Sequence, residues 1–285
     1  MSYTDALEAA RGVMARDDST IAPYARTMLL EHGEKRPWSI VLLHGLTNNP
    51  GQFSAFAPQL AKLGHNVFVP RMPYHGYADR LTNALARLTA DDLREASDEA
   101  IDVALGLGDR VAVLGISLGG IQASYLAQYR GDVSVSIPIA PDFGVLQFSH
   151  VFVRMLASVL RVLPNFFLWW DPRMREKQVP LTAYPRFATK ALLASLQIAQ
   201  EIYAAAHHVA PKSPRISTVV NVRDPAVSNA VAKEVVEAWK SHRLSGVEYI
   251  ELTGLPENHD IIDPQNPLAR TDIVYPKLID ILNLA

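Results

Sequence analysis

Short runs of β-branched and other apolar residues alternate along this chain with longer stretches whose apolar positions recur at helical spacing. The short runs predict strands at Arg26 to Leu30, Ser39 to Leu43, Asn66 to Val69, Arg110 to Leu114, Val133 to Ile139, Arg215 to Val222 and Val247 to Leu252. The longer stretches predict helices at Phe53 to Leu63, Ala90 to Leu105, Leu118 to Tyr129, Val227 to His242 and Thr271 to Leu284. Several strands are apolar at nearly every position, which marks a mostly parallel sheet covered on both faces. Strands joined through helices cross over right-handed. The expected class is therefore α/β, a doubly wound sheet with ligands at the carboxyl ends of its strands.

One interval breaks the rhythm. From Phe143 to Pro211 no strand is convincing, yet the stretch carries large apolar side chains, among them Phe166, Phe167, Trp169, Trp170 and Tyr184. It is too long for a structureless loop. A small helical cap over the strand ends is the expectation, with residues 1–142 and 212–285 forming the core domain and 143–211 the insertion. Crossover helices packed on the sheet are the alternative.

Composition narrows the chemistry. The chain has 285 residues, a formal net charge of −2, no basic run and no cysteine. A nucleic-acid partner is not expected, and a cysteine nucleophile and thiolate metal sites are excluded. Met1 to Arg16 alternates charge with Ala and Leu and lacks an apolar h-region, so a secretory signal is not expected. The longest apolar stretch, Val151 to Trp170, contains Arg154, Arg161 and Pro164, so no transmembrane segment is expected. The expected setting is cytoplasmic. A second copy of the chain is a candidate partner through an exposed apolar cap face.

The sharpest local signal is Gly115-Ile116-Ser117-Leu118-Gly119, a G-x-S-x-G string between an apolar strand and a helix. Flanking glycines allow the tight turn that lifts the serine hydroxyl off the sheet edge and aims the first helical amides at it. A serine needs a base, and the base an orienting acid. His259, in the polar loop after the last strand, is the best base. Asp224, closing the strand Arg215 to Val222, is the best acid, with Asp142 second. Asp260 adjoins His259 and is less suited to orient it, though its charge would raise the imidazole pKa. The two oxyanion donors fall to the backbone N–H groups of Leu118 and of Leu46, which follows Gly45 at the end of another strand.

Taken in order, Leu42-Leu43-His44-Gly45-Leu46-Thr47, Pro73-Tyr74-His75-Gly76, the elbow at Ser117, Asp224-Pro225-Ala226-Val227 and His259 give the chain its resemblance to the α/β-hydrolases. Within them it resembles the bacterial carboxylesterases and monoacylglycerol lipases with a small helical cap. The resemblance spans roughly residues 38–285 and departs at Tyr74, where the family's P-G-H-G turn has glycine. It implies a serine ester hydrolase for short- to medium-chain acyl esters or monoglycerides, without metal or other cofactor. The apolar group would lie near Phe166, Phe167, Trp169 and Trp170. An acyltransferase or C–C bond hydrolase would use the same triad. A non-catalytic small-ligand binder on this fold is the reading from a different class. Ser117 argues against relatives with an aspartate nucleophile, and no His/Asp cluster has zinc-ligand spacing.

Overall fold

The computed structural model describes residues 1–146, 148–243 and 245–283. Its strands are β1 (Met28–Leu30), β2 (Arg36–Leu43), β3 (Asn66–Val69), β4 (Gly108–Ile116), β5 (Val133–Ile139), β6 (Phe167–Trp169), β7 (Arg186–Ala188), β8 (Arg215–Asn221) and β9 (Val247–Leu252). The main sheet runs β1-β3-β2-β4-β5-β8-β9, parallel except where β1 pairs antiparallel with β3. The helices are α1 (Tyr3–Met14), α2 (Ala57–Lys62), α3 (Ala90–Leu107), α4 (Leu118–Tyr129), α5 (His150–Val162), α6 (Thr189–Ala206), α7 (Asn229–His242) and α8 (Thr271–Leu282). Each expected strand and helix has its counterpart. Leu284, the end of the last expected helix, lies outside the described residues.

The two-residue alternation of strand side chains divides the core into two layers. Ile40, Leu42, Ala112, Leu114, Ile137 and Ile139 face α2 and α8, where they meet Leu60, Val274 and Leu278. Val41, Leu43, Val111 and Val113 face the other way, onto Ala10 of α1, Ile101 and Ala104 of α3, and Leu126 of α4. Both faces are covered, so the middle strands are mostly apolar, and their buried hydroxyls find backbone acceptors: Ser39 Oγ donates to the Ala104 carbonyl (2.7 Å) and Ser136 Oγ to that of Ala123 (2.8 Å).

Two features depart from the sequence expectation. Residues 3–14, for which no element was expected, form α1, which starts on a capping box between Ser2 and Asp5. The fold carries a helical cap insertion, and the interval from Phe143 to Pro211 holds the helices α5 and α6 but also strands. Phe167↔Ala188, Leu168↔Phe187 and Trp169↔Arg186 pair antiparallel in a separate two-stranded sheet. A three-residue strand between Pro164 and Pro172 is too short to show alternation. The far helix of the interval, α6, packs on α4, α3 and α7 through Ala191, Ala194, Ile198 and Ile202. Crossover packing and a covering element thus share this stretch. α5 buries Val153 and Ala157 against Leu193 and Leu196 of α6, and leaves Val151, Met155 and Val162 exposed. Among the described residues no helix is long and apolar enough to cross a membrane.

Candidate active site

Ser117 stands at the carboxyl end of β4 with φ 59° and ψ −116°, a conformation that side-chain-bearing residues rarely adopt. Such strain persists only where the surroundings enforce it, and here they do. The Ser117 N–H donates to the Ile139 carbonyl (2.9 Å), and the Ser117 carbonyl accepts from Ile121 (3.0 Å) and Asp142 (3.3 Å). From Val111 to Ser124 every residue but Ser117 is buried, so the turn exposes this one side chain.

The flanking glycines are a steric necessity. A Cβ on Gly119 would lie 2.0 Å from the Leu43 carbonyl oxygen, and one on Gly115 would lie 2.0 Å from the Gly119 oxygen. Both obstacles are backbone and neither can swing aside. Gly119→Ala is expected to destabilise the fold by about 3 kcal/mol or more. A urea unfolding midpoint within error of wild type would contradict this.

His259 and Asp224, the candidate base and acid, lie side by side. His259 Nδ1 lies 2.7 Å from Asp224 Oδ2, and Asp224 Oδ1 accepts the N–H groups of Ala226 (2.8 Å) and Val227 (3.2 Å). The Asp224 side chain is fully buried, whereas that of His259 is 23% accessible. With Nδ1–H given to Asp224, Nε2 is the basic nitrogen, and it has no protein partner among the described residues. Burial lowers the His259 pKa, but the charge and hydrogen bond of Asp224, aided by Asp260 and Asp142, outweigh it and raise the pKa above 6.5. The expected raising effect of Asp260 is thus present, behind the larger one of Asp224. Ser117 Oγ makes no protein hydrogen bond among the described residues. Such contacts commonly tighten only when substrate binds.

Asp142, the second acid considered, sits elsewhere. Its Oδ2 accepts from Ser195 Oγ of α6 at 3.1 Å, and burial, with Asp224 nearby, pushes its carboxyl up to about 7. The Asp260 carboxylate is taken by Asn48 (3.1 Å), Gln52 (2.8 Å) and the N–H groups of Ile262 and Asp263. Neither residue displaces Asp224 as the partner of the ring.

The Gly45–Leu46 turn lies against the elbow: a Cβ on Gly45 would be 3.6 Å from Ser117 Cβ. Two buried histidines hold this turn. His44 Nδ1–H donates to the Gly45 carbonyl (3.0 Å) and Nε2 accepts the Met72 N–H (3.1 Å), the pattern of a neutral ring, and burial holds its pKa well below the ordinary value. His75 places Nε2 2.5 Å from the Leu46 carbonyl and Nδ1 2.8 Å from that of Pro73. Burial pushes its pKa down to about 4. Tyr74, standing where a glycine was expected, has φ 65°. The turn keeps the left-handed conformation without the residue that favours it, and Arg87 stacks on the Tyr74 ring at 4.8 Å. The Leu46 and Leu118 amides donate to no protein acceptor among the described residues.

Ser117, His259, Leu46 and Asp142 open on one cavity of about 960 Å³ between the strand ends and the cap. Phe167, Leu168, Trp169 and Phe187 of the two-stranded sheet line it, with Trp170 just after β6 and with Leu146, Phe148, Leu156 and Leu192. Phe166 does not line the cavity. It is half exposed, and its N–H is bound to Thr189 Oγ1 at 2.9 Å. Trp170 Nε1–H donates to Thr47 Oγ1 (2.9 Å) and the Tyr184 N–H to the Thr47 carbonyl (2.8 Å), so this part of the cap is tied to the Leu46 turn. Gln52, Asn48 and Ser195 carry no signal in the sequence, since their side-chain partners are remote in the chain, and His75 is marked there only by the Pro73–Gly76 turn. Among the described residues no group of His, Asp and Glu could hold a metal ion.

Residues 39–191, which include the strand-to-helix elbow at Ser117, match the model of the alpha/beta hydrolase fold. The chain belongs to that family. Its sequence is 30% identical over 110 residues to a thermostable monoacylglycerol lipase of Bacillus sp. (strain H-257). That match covers 38% of this chain and 42% of the lipase, less than half the length of either. Among solved structures, a soluble variant of the monoglyceride lipase of Saccharomyces cerevisiae, bound to a substrate analogue, superposes with a TM-score of 0.68. Identity there is 12%, over 90% of this chain and 91% of that one. The monoacylglycerol lipase of Paleococcus ferrophilus gives a TM-score of 0.65 at 17% identity, over 90% and 98%. A structure from the metagenome-derived lipolytic enzymes LipS and LipT gives 0.66 at 17%, over 92% and 98%. The chain stands with the esterase- and lipase-like members of the fold that carry a helical cap.

Proposed function

We propose that the protein is a serine carboxylic-ester hydrolase acting on short- to medium-chain acyl esters or monoglycerides. The observation that carries this is the His259–Asp224 pair at 2.7 Å, opening on the same cavity as a serine held in a strained elbow. Ser117 Oγ attacks the ester carbonyl as His259 Nε2 takes its proton. The C–O π electrons move onto oxygen, which the Leu46 and Leu118 N–H groups receive. Collapse of this intermediate expels the alcohol, protonated by His259, and leaves an acyl group on Ser117. Water repeats the sequence, giving its proton to His259, and releases the acid. Asp224 stays ionised, holding the ring and balancing the imidazolium. Two aimed N–H donors matter because each is worth about 10²–10³ in rate.

The wall formed by Phe167, Trp169, Trp170, Phe148 and Leu156 suits an acyl or alkyl chain, and the volume lies in the range of small-molecule sites. Each methylene covered there contributes about 0.8 kcal/mol, roughly fourfold in kcat/KM. With p-nitrophenyl esters of rising acyl length, kcat/KM is expected to climb by that step and level off once the cavity is full. A flat series, or the highest value at acetate, would remove the cap residues from the substrate site.

A further inference from the structure

Gln52 lies in the single turn of 3-10 helix Pro50–Phe53 and is buried, at the wall of the cavity. Its Oε1 accepts the Gly45 N–H at 2.9 Å, and its Nε2 donates to Asp260 Oδ2 at 2.8 Å. Gly45 immediately precedes Leu46, and Asp260 immediately follows His259. One side chain thus spans the turn that presents an oxyanion donor and the loop that presents the base.

We propose that Gln52 is a positioning residue that couples the oxyanion turn to the base loop and so fixes the distance between the two halves of the catalytic machinery. The inference rests on the ester-hydrolase reading of the site. Gln52 meets one partner that only donates and one that only accepts, so its amide has a single workable orientation. Among the described residues the other hydrogen bonds of the Gly45 and Leu46 peptide groups stay on that side of the cavity. The Gly45 carbonyl accepts from His44 Nδ1 and the Asn48 N–H (3.1 Å), and the Leu46 carbonyl faces His75. Asn48 also reaches Asp260, but at 3.1 Å and from outside the Gly45–Leu46 peptides. Among the described residues only the Gln52 contact fixes the Gly45 N–H, and with it the plane of the His44–Gly45 peptide. An apolar residue at position 52 would leave a buried N–H and a carboxylate oxygen unpaired. A carboxylate there would face that of Asp260.

The test is steady-state hydrolysis of p-nitrophenyl butyrate, with rates divided by the sites that react with a fluorophosphonate. Gln52→Met, Gln52→Glu, Asp260→Asn and the double variant Gln52→Glu/Asp260→Asn are compared across pH. Gln52→Met is expected to lower kcat per reactive site about 10- to 100-fold, approaching loss of one oxyanion donor, with KM changed less than about threefold. Gln52→Glu is expected to be weakest at high pH and to recover toward neutrality, as a protonated carboxyl can again donate to Asp260. The double variant is expected to regain about tenfold over Gln52→Glu, because the amide and the carboxylate have exchanged places. The coupling is overturned if Gln52→Met lowers the melting temperature but keeps wild-type kcat per reactive site. Should Gln52→Met not fold, Gln52→Glu and the double variant decide, and equal kcat with one unchanged pH profile overturns the coupling. Wild-type protein that neither reacts with the probe nor turns over ester would instead refute the ester-hydrolase reading.

Discussion

Ser117→Ala is expected to lower kcat for p-nitrophenyl butyrate by about 10⁵-fold, close to what loss of the nucleophile costs in a serine hydrolase. The oxyanion amides and the cavity remain, so a residual enhancement of about 10³ over water is compatible with the account. The fold should survive. Alanine keeps the Cβ that the site already accommodates at φ 59°, and no protein hydrogen bond of Ser117 Oγ is lost among the described residues. Thermal unfolding should therefore stay near wild type while turnover collapses. A variant that retained a tenth of the activity would move the nucleophile away from the elbow.

The second large effect separates two buried acids. Asp224→Asn is expected to lower kcat about 10³- to 10⁴-fold, because an amide facing Nδ1 favours the wrong tautomer and no longer balances the imidazolium. Asp142→Asn is expected to cost less than about tenfold, since Asp142 pairs with Ser195 and touches the Ser117 loop through its backbone N–H. The two also differ in pH dependence. His259 acts as a base only when neutral, and its pKa is raised above 6.5, so kcat/KM should rise with pH through a limb above that value. Asp142 contributes to the raising, so Asp142→Asn should move the limb to lower pH with most of the high-pH rate kept. Pre-steady-state acylation rates for both variants, measured against pH, check this. A greater loss in Asp142→Asn than in Asp224→Asn would reverse the assignment.

The parts of this molecule that follow one-dimensional periodicity were legible in its sequence. The strands from Ser39 to Leu43 and from Val133 to Ile139 announced themselves because burial on both faces favours short runs rich in apolar and β-branched residues. α4 begins at Leu118, directly after the elbow serine, as the glycine spacing required. The Asp224–His259 pair was inferred from strand ends alone, 35 residues apart in the chain. α1 escaped notice because its buried face is mostly Ala6 and Ala10, too small to give an apolar stripe, although Ser2 and Asp5 form a capping signature. In the cap, Phe167 to Trp169 read as a cluster of large apolar residues, and only the pairing with Arg186–Ala188 makes it a strand. Gln52 carried no local signal. Its meaning comes from Asp260, 208 residues away.

The central claim is that Ser117 carries the acyl group during turnover. Wild-type protein and Ser117→Ala should be treated with a fluorophosphonate probe, digested and mapped by mass spectrometry. The account predicts one adduct per chain in the wild type, on the peptide containing Gly115-Ile116-Ser117-Leu118-Gly119 and localised to Ser117, and none in the variant. An adduct on another residue with ester turnover intact in Ser117→Ala, or no adduct in the wild type, would contradict it.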